Sequence, residues 1–157
     1  MLKLSTTADN VGGVVRLVAI PASAFRSISF NILTRRRSLT LFSTDGCIDI
    51  ECNRNEDVSD ESSSSSEGLS YIHQVHGKIY SLDFERKNLL DRLLNGSWLV
   101  LATNGNGVNK LYGSVDVPLR FVYNSVSGSM KSVGSVTSYT FMSTQSKPAL
   151  VIDSHPL

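Results

Sequence analysis

The side chains in this sequence best suited to chemistry are three histidines, two cysteines and one run of three arginines. His73 and His76 stand three apart. Two imidazoles can share a metal ion or divide acid and base roles, because imidazole changes charge near neutral pH. The residues around them alternate apolar and polar, however. In a strand, positions 73 and 76 point to opposite faces, so both histidines read as structural. Cys47 and Cys52 are five apart, which also sets them on opposite faces and excludes a bridge within one straight strand. There is no Cys-x-x-Cys pair, and His155 is the only further histidine. The four-ligand set of a zinc site is not assembled. The expectation is two reduced thiols, no metal and no cofactor.

Nucleophilic chemistry fares no better. Gly-x-Ser-x-Gly, which lifts a serine onto a sharp strand-to-helix turn, is absent, and Gly128-Ser129 lies in a Ser/Gly loop. Gly12-Gly13 and Asn104-Gly105-Asn106-Gly107 lack the strand–loop–helix order that cradles phosphate. Asp60-Glu61 sit in a polar segment that offers no dry pocket to tune a carboxylate. No catalytic residue is expected, and the chain reads as non-enzymatic.

Charge layout is more informative than charge total. The net charge is only +1, unlike the strongly basic proteins that coat nucleic acid. Between Asp45 and Glu67 eight acids face a single base, Arg54, for a net −7, which leaves +8 on the rest. Arg35, Arg36 and Arg37 are the sharpest basic feature. They fit a solvated turn, phosphate contacts, or an acidic surface on a neighbouring copy. For the last, Glu56, Asp57, Asp60 and Glu61 are the natural counterpart. Complementary patches on one chain permit head-to-tail contacts that close into rings when the rotation allows. These seven residues are the expected subunit contacts.

The elements that must position these residues are mostly strands. Val14–Ile20 is rich in β-branched residues and stops at Pro21. Arg16 interrupts that apolar run, which is also too short to span a bilayer, so no membrane partner is expected. Phe25–Leu33 is a second strand; Leu39, Leu41 and Phe42 belong to a third. In Cys47–Cys52, Ile48, Ile50 and Cys52 alternate with Asp49 and Glu51, which reads as half-buried with the acids outward. Residues 53–68 cannot build a core and read as an acidic, Ser-rich insertion loop. From Leu69 to Leu82, Tyr71, His73, Val75 and Ile79 share one face of a long strand.

One helix follows at 84–94. Phe84, Leu89, Leu90, Leu93 and Leu94 form its apolar side, Ser81 or Asp83 its cap, and Asn95-Gly96 its stop. Trp98–Ala102 is apolar on both faces and reads as a covered central strand. Asn104–Gly107 makes a hairpin back to Lys110-Leu111-Tyr112. Val117–Tyr123 alternates; Ser125–Gly134 is a loop; Ser135–Ser143 carries Val136, Tyr139, Phe141 and Met142; Leu150–Ile152 is a short edge. The 157 residues thus read as a single mainly-β domain, a sandwich or barrel of about eight strands with one flanking helix.

The order Gly96-Ser97-Trp98-Leu99-Val100-Leu101, Asn/Gly hairpin, Lys110-Leu111-Tyr112-Gly113, Pro118-Leu119-Arg120-Phe121, Gly128 loop and Ser138-Tyr139-Thr140-Phe141 resembles small structural proteins of tailed bacteriophages and prophages, especially of Bacteroides-like hosts. It covers about residues 96–143. The resemblance implies a virion subunit of the tail or head–tail neck, made in the host cytoplasm. It would assemble with copies of itself and other virion proteins into a ring or tube, with DNA at most passing through a lumen without sequence-specific contact. The Ser-rich arm departs from that pattern. The alternative is a monomeric β-sandwich binding module for carbohydrate or protein, which needs an exposed aromatic platform from Tyr71, Tyr80, Tyr112 and Tyr123.

Overall fold

The computed structural model describes residues 2–4, 13–52, 58–64, 68–80, 84–126 and 136–157. In chain order the strands are β1 (Leu2–Leu4), β2 (Val14–Pro21), β3 (Phe25–Asn31), β4 (Arg36–Leu41), β5 (Ile48–Glu51), β6 (Val58–Ser64), β7 (Ser70–Tyr80), β8 (Trp98–Asn104), β9 (Asn109–Tyr112), β10 (Arg120–Val126), β11 (Val136–Gln145) and β12 (Leu150–Ile152), with helix α1 (Phe84–Leu94) between β7 and β8. They form a six-stranded sheet ordered β1-β5-β2-β8-β9-β12, a four-stranded sheet ordered β10-β11-β7-β6, and the two-stranded hairpin β3-β4. The fold is mainly β and sandwich-like. Each sheet is open, with two edges, so the barrel alternative is excluded.

The six-stranded sheet is covered on both faces. Alternation along β2 and β8 explains how. Leu17, Ala19, Trp98, Val100 and Ala102 go to one side, where they meet Val75, Phe121, Tyr139 and Phe141 of the four-stranded sheet and Leu89, Leu90 and Leu93 of α1. Val18, Ile20, Leu99 and Leu101 go to the other side, where Leu39, Ile28 and Leu41 of the hairpin cover them. Trp98–Ala102 is thus the covered central strand that its composition predicts. Cys47 and Cys52 fall into these two separate cores, as their odd spacing requires.

Local signals hold in several places. The Asn104 amide oxygen accepts from the backbone N–H groups of Asn106 (3.1 Å) and Val108 (2.9 Å), and Gly107 takes a φ of 76°. That closes the β8–β9 hairpin with Leu101 opposite Leu111. The helix ends at Asn95, whose side-chain amide donates to the Asp91 carbonyl (2.9 Å). The Trp98 indole N–H donates to the Leu93 carbonyl (2.7 Å), tying the last turn of α1 to the central strand. The expected N-cap residues 81 and 83 lie outside the described residues, as does the loop at 127–135.

Four expectations are corrected. First, within the acidic segment Val58–Ser64 is an edge strand, not a loop: β6 runs antiparallel to β7, with Asp60 opposite Gln74 and Glu61 opposite His73. The other edge of β7 is paired with β11 from Tyr71 to Tyr80, so the free edge carries backbone groups in need of partners. Backbone pairing needs no apolar pattern, and serines supply it. Second, Asp49 does not face outward to water. Strand β5 lies inside its sheet between β1 and β2, and Asp49 is buried against Arg16. Third, the apolar side of α1 is narrower than expected: Phe84 and Leu94 are exposed, and Leu89, Leu90 and Leu93 alone are buried. Fourth, β3 stops at Asn31, and Ile32–Arg35 form a turn.

Candidate interaction surface

The hairpin β3–β4 concentrates charge of one sign. From Phe25 to Phe42 it holds four arginines and no acid. Its base is anchored. The Arg37 backbone N–H donates to the Asp153 carboxylate (2.7 Å), the Asp153 N–H donates to the Arg37 carbonyl (2.8 Å), and the Leu39 N–H donates to the Ser154 carbonyl (2.9 Å). Ser154 and Ser38 hydroxyls meet at 2.7 Å. The chain's last residues therefore act as a third rail along β4.

The tip is built by Asn31. Its side-chain oxygen accepts from the N–H groups of Leu33 (3.0 Å) and Thr34 (3.2 Å), a side-chain mimic of a backbone turn. The turn closes through Arg35 at a φ of 54°. That left-handed conformation favours Gly or Asn, and another residue there costs roughly 1 kcal/mol. Ile32 and Leu33 end 80% and 94% exposed at the apex. Below them the Arg37 guanidinium lies over the Phe30 ring at 5.6 Å, and that of Arg26 over Phe42 at 5.8 Å. Cation–π stacking of this kind holds an arginine in place while its N–H groups stay available.

Of the expected contacts, the structure gathers Arg35, Arg36 and Arg37 at this tip, in the layer on one side of the six-stranded sheet. Asp60 and Glu61 belong to β6, in the sheet on the other side. Glu56 and Asp57 lie outside the described residues. The two patches are not brought together within the chain as described. Ile32 and Leu33 are not among the expected contacts, because the run Phe25–Leu33 reads as strand to its end. The available signal was Asn31, a residue that initiates turns, followed by a cluster of charge.

The residues weighed for chemistry stay apart. His73 is buried, accepts from the Gly113 N–H at its Nδ1 (3.0 Å) and meets the Tyr112 ring edge-on at 5.6 Å. His76 sits on the opposite face, in register with Thr140. There it lines a shallow groove of about 280 Å³ with Gln74, Lys78, Ser138 and Thr140. The Nδ1 of His76 is buried without a hydrogen-bond partner. Burial, then the nearby Asp45 carboxylate, push the Cys47 thiol above its ordinary range, so it stays protonated and unreactive. Among the described residues no three His, Cys, Asp or Glu cluster as metal ligands, and no helix is long and apolar enough to cross a membrane. The four tyrosines do not form one platform: Tyr112 is buried, Tyr71 and Tyr123 are half-buried, and Tyr80 is 40% exposed.

One polar pair was not anticipated. Arg16 donates through Nε (3.2 Å) and Nη2 (2.9 Å) to Asp49, whose side chain is 10% exposed against 33% for Arg16. It joins neighbouring strands on the face of the six-stranded sheet opposite Ile48 and Ile50.

No family model, curated protein or solved structure matches this chain.

Proposed function

We propose that the chain is a non-enzymatic structural subunit that assembles with copies of itself into a ring or tube. The resemblance of residues 96–143 to small proteins of tailed phages supports placing it in a virion, in the tail or head–tail neck. One observation carries the self-assembly reading: the hairpin raises two bare aliphatic residues and three arginines in one layer, and an acidic edge strand lies in the other. Apolar side chains at such exposure carry an unfavourable hydration free energy that is relieved when something covers them. An open strand edge is a template for association. Opposite charges in different layers favour a contact between unlike surfaces, repeated from copy to copy. In such a ring the function is geometric, and any DNA traverses a lumen without base contacts.

Light scattering on the purified chain across concentration and ionic strength tests the reading, with negative-stain images of the same samples. Rings, tubes or concentration-dependent oligomers are expected, and they should weaken from 50 mM to 500 mM salt as the screening length shrinks several-fold. Replacing Arg35, Arg36 and Arg37 together by Glu should shift association to higher concentration without changing the circular-dichroism spectrum. A chain that stays at 17.1 kDa at high concentration and low salt, alone or with candidate virion partners, ends the proposal.

A further inference from the structure

The four-stranded sheet ends in two open strand edges of equal length. Strand β10 pairs with β11 from Arg120 to Val126, seven residues in unbroken register. Strand β6 pairs with β7 from Val58 to Ser64, also seven and also unbroken. Among the described residues, no strand lies beyond either one. Helix α1 meets β10 through an inward side chain, the Tyr123 hydroxyl, which donates to Asp91 (3.3 Å). Among the described residues, no backbone group of Arg120–Val126 bonds to the helix. Half of the N–H and C=O groups of each edge strand therefore point out of the sheet and need partners. From Phe121 to Val126 there is no Lys, Pro, charge or bulge of the kind that blunts an edge.

The two edges fit each other in direction, in facing and in hydrogen-bond phase. All three ladders are antiparallel, so in a sheet of four strands β10 and β6 run opposite ways. A second copy set beside the first in the same orientation brings its β10 antiparallel to β6. The inward residues of this sheet are odd-numbered, Phe121, Tyr139, Phe141 and Val75, all buried. The row Val122, Thr140, His76, Val58 belongs to the outer face. A register that lays Val58 opposite Val126 and Ser64 opposite Arg120 keeps even positions with even, so both faces of the sheet continue unbroken. Along an antiparallel ladder bonded and non-bonded pairs alternate, and a residue bonded on one side points no backbone group to the other. The ladders crossed by that row therefore read bonded, non-bonded, bonded, or the reverse. Either way the outward-pointing residues of β6 and β10 have the same parity, and this register brings them together. Three or four residue pairs then exchange two bonds each, roughly six to eight in all.

We propose that β6 of one copy pairs with β10 of the next in this register, so that the four-stranded sheets of neighbouring copies join edge to edge. This rests on the self-assembly reading and names backbone that it uses. The hairpin tip lies in the other layer and takes no part in this contact. The occupant is a second copy because the chain carries both halves of one antiparallel ladder. Like edges match less well. Two β6 strands in full overlap set Glu61 opposite its own copy, and like charges directly opposite are destabilising. Two β10 strands close into a dimer that leaves each β6 open. The unlike pairing sets no charge against another: Arg120 falls opposite Ser64, Asn124 opposite Asp60 and Tyr123 opposite Glu61. Every added copy leaves one edge of each kind free, so the contact repeats head to tail.

Cysteine trapping on the full chain tests it. In the proposed register Ser62→Cys and Val122→Cys fall opposite each other on the outer face, with Cβ atoms about 4.5–5.5 Å apart, which a small shift brings within reach of a disulfide. The two variants are prepared separately, mixed, and oxidised with copper–phenanthroline. The native thiols Cys47 and Cys52 are buried and do not compete. A cross-linked dimer containing one of each variant is expected, at several times the yield of either variant alone. Ser63→Cys, one position along and on the opposite face, should not give that link with Val122→Cys. Amide hydrogen exchange on the unmodified chain is the second readout. At concentrations where oligomers form, alternate amides of β6 and β10 should slow about ten-fold or more. If oligomers form but these amides keep the monomer rate, if Val122→Cys links mainly to itself, or if Ser63→Cys links as well as Ser62→Cys, the edge pairing is wrong and self-assembly stands. If no oligomer forms under any condition, both fall.

Discussion

Removing the guanidinium of Arg16 should cost far more than its position on a half-exposed side chain suggests. The pair is asymmetric: the Asp49 side chain is 10% exposed and that of Arg16 33%. In Arg16→Met, Asp49 loses both its donors at 2.9 and 3.2 Å and stays as a buried, unpaired carboxylate. Breaking a fully buried pair costs roughly 3–5 kcal/mol. With Arg16 one-third open to solvent, the cost here should be lower, about 2–3 kcal/mol. In Asp49→Ala the arginine is left behind instead. Its long stem lets the head reach water, so the loss should be about 1 kcal/mol. Replacing both, as Arg16→Met with Asp49→Leu, removes the charges together and should recover most of the loss. Urea unfolding at pH 7 followed by tryptophan fluorescence measures this through the shift in midpoint at constant slope; Trp98 is the single tryptophan. Equal losses in the two single variants, or a double variant as weak as Arg16→Met, would refute the account.

Three further outcomes follow from the structure. A Cβ added at Gly96 would stand 2.4 Å from the Trp98 ring, so Gly96→Ala should overpack the α1–β8 junction by about 1–3 kcal/mol and perturb the Trp98 emission. Arg35→Gly relieves the positive φ and should raise the unfolding free energy by up to about 1 kcal/mol, read as a higher urea midpoint, while weakening assembly through the lost charge. Burial first, and then the Arg16 charge, hold the half-buried His155 below its ordinary 6.5. The folded state therefore favours the neutral ring. Its contribution is present above pH 6.5 and is lost as pH falls through the lowered folded value, because the unfolded chain binds the proton more readily. His155→Gln should flatten the fall in stability between pH 7 and pH 5, read as urea midpoints at half-unit intervals.

What the sequence discloses and what it hides divide along a physical line. Val14–Ile20, Trp98–Ala102 and Tyr139–Phe141 announce themselves because β-branched and aromatic residues pack well on pleated surfaces. Leu89, Leu90 and Leu93 do so because helical spacing brings them to one side. Val58–Ser64 is silent, since its place depends on the free edge of β7 rather than on its own side chains. Asp49 misleads for a similar reason: its environment is set by Arg16, 33 positions away, and by β1 on its other side. The apex at Ile32 and Leu33 is hidden in an apolar run whose end is decided by one Asn31 side chain. The arginines of the candidate surface were legible as a charge run. Their coupling to bare aliphatic residues was not.

The doubly covered six-stranded sheet behaves as a partition. Strands β2 and β8 send alternate side chains into two packings that share backbone and little else. Distant, independent sites combine additively, so repacking beneath the hairpin should leave the α1 side nearly untouched. The finger can then be lengthened, shortened or recharged by mutation while the opposite half keeps its shape. A lineage built on such a body can retune what its copies grasp without rebuilding what holds each copy together.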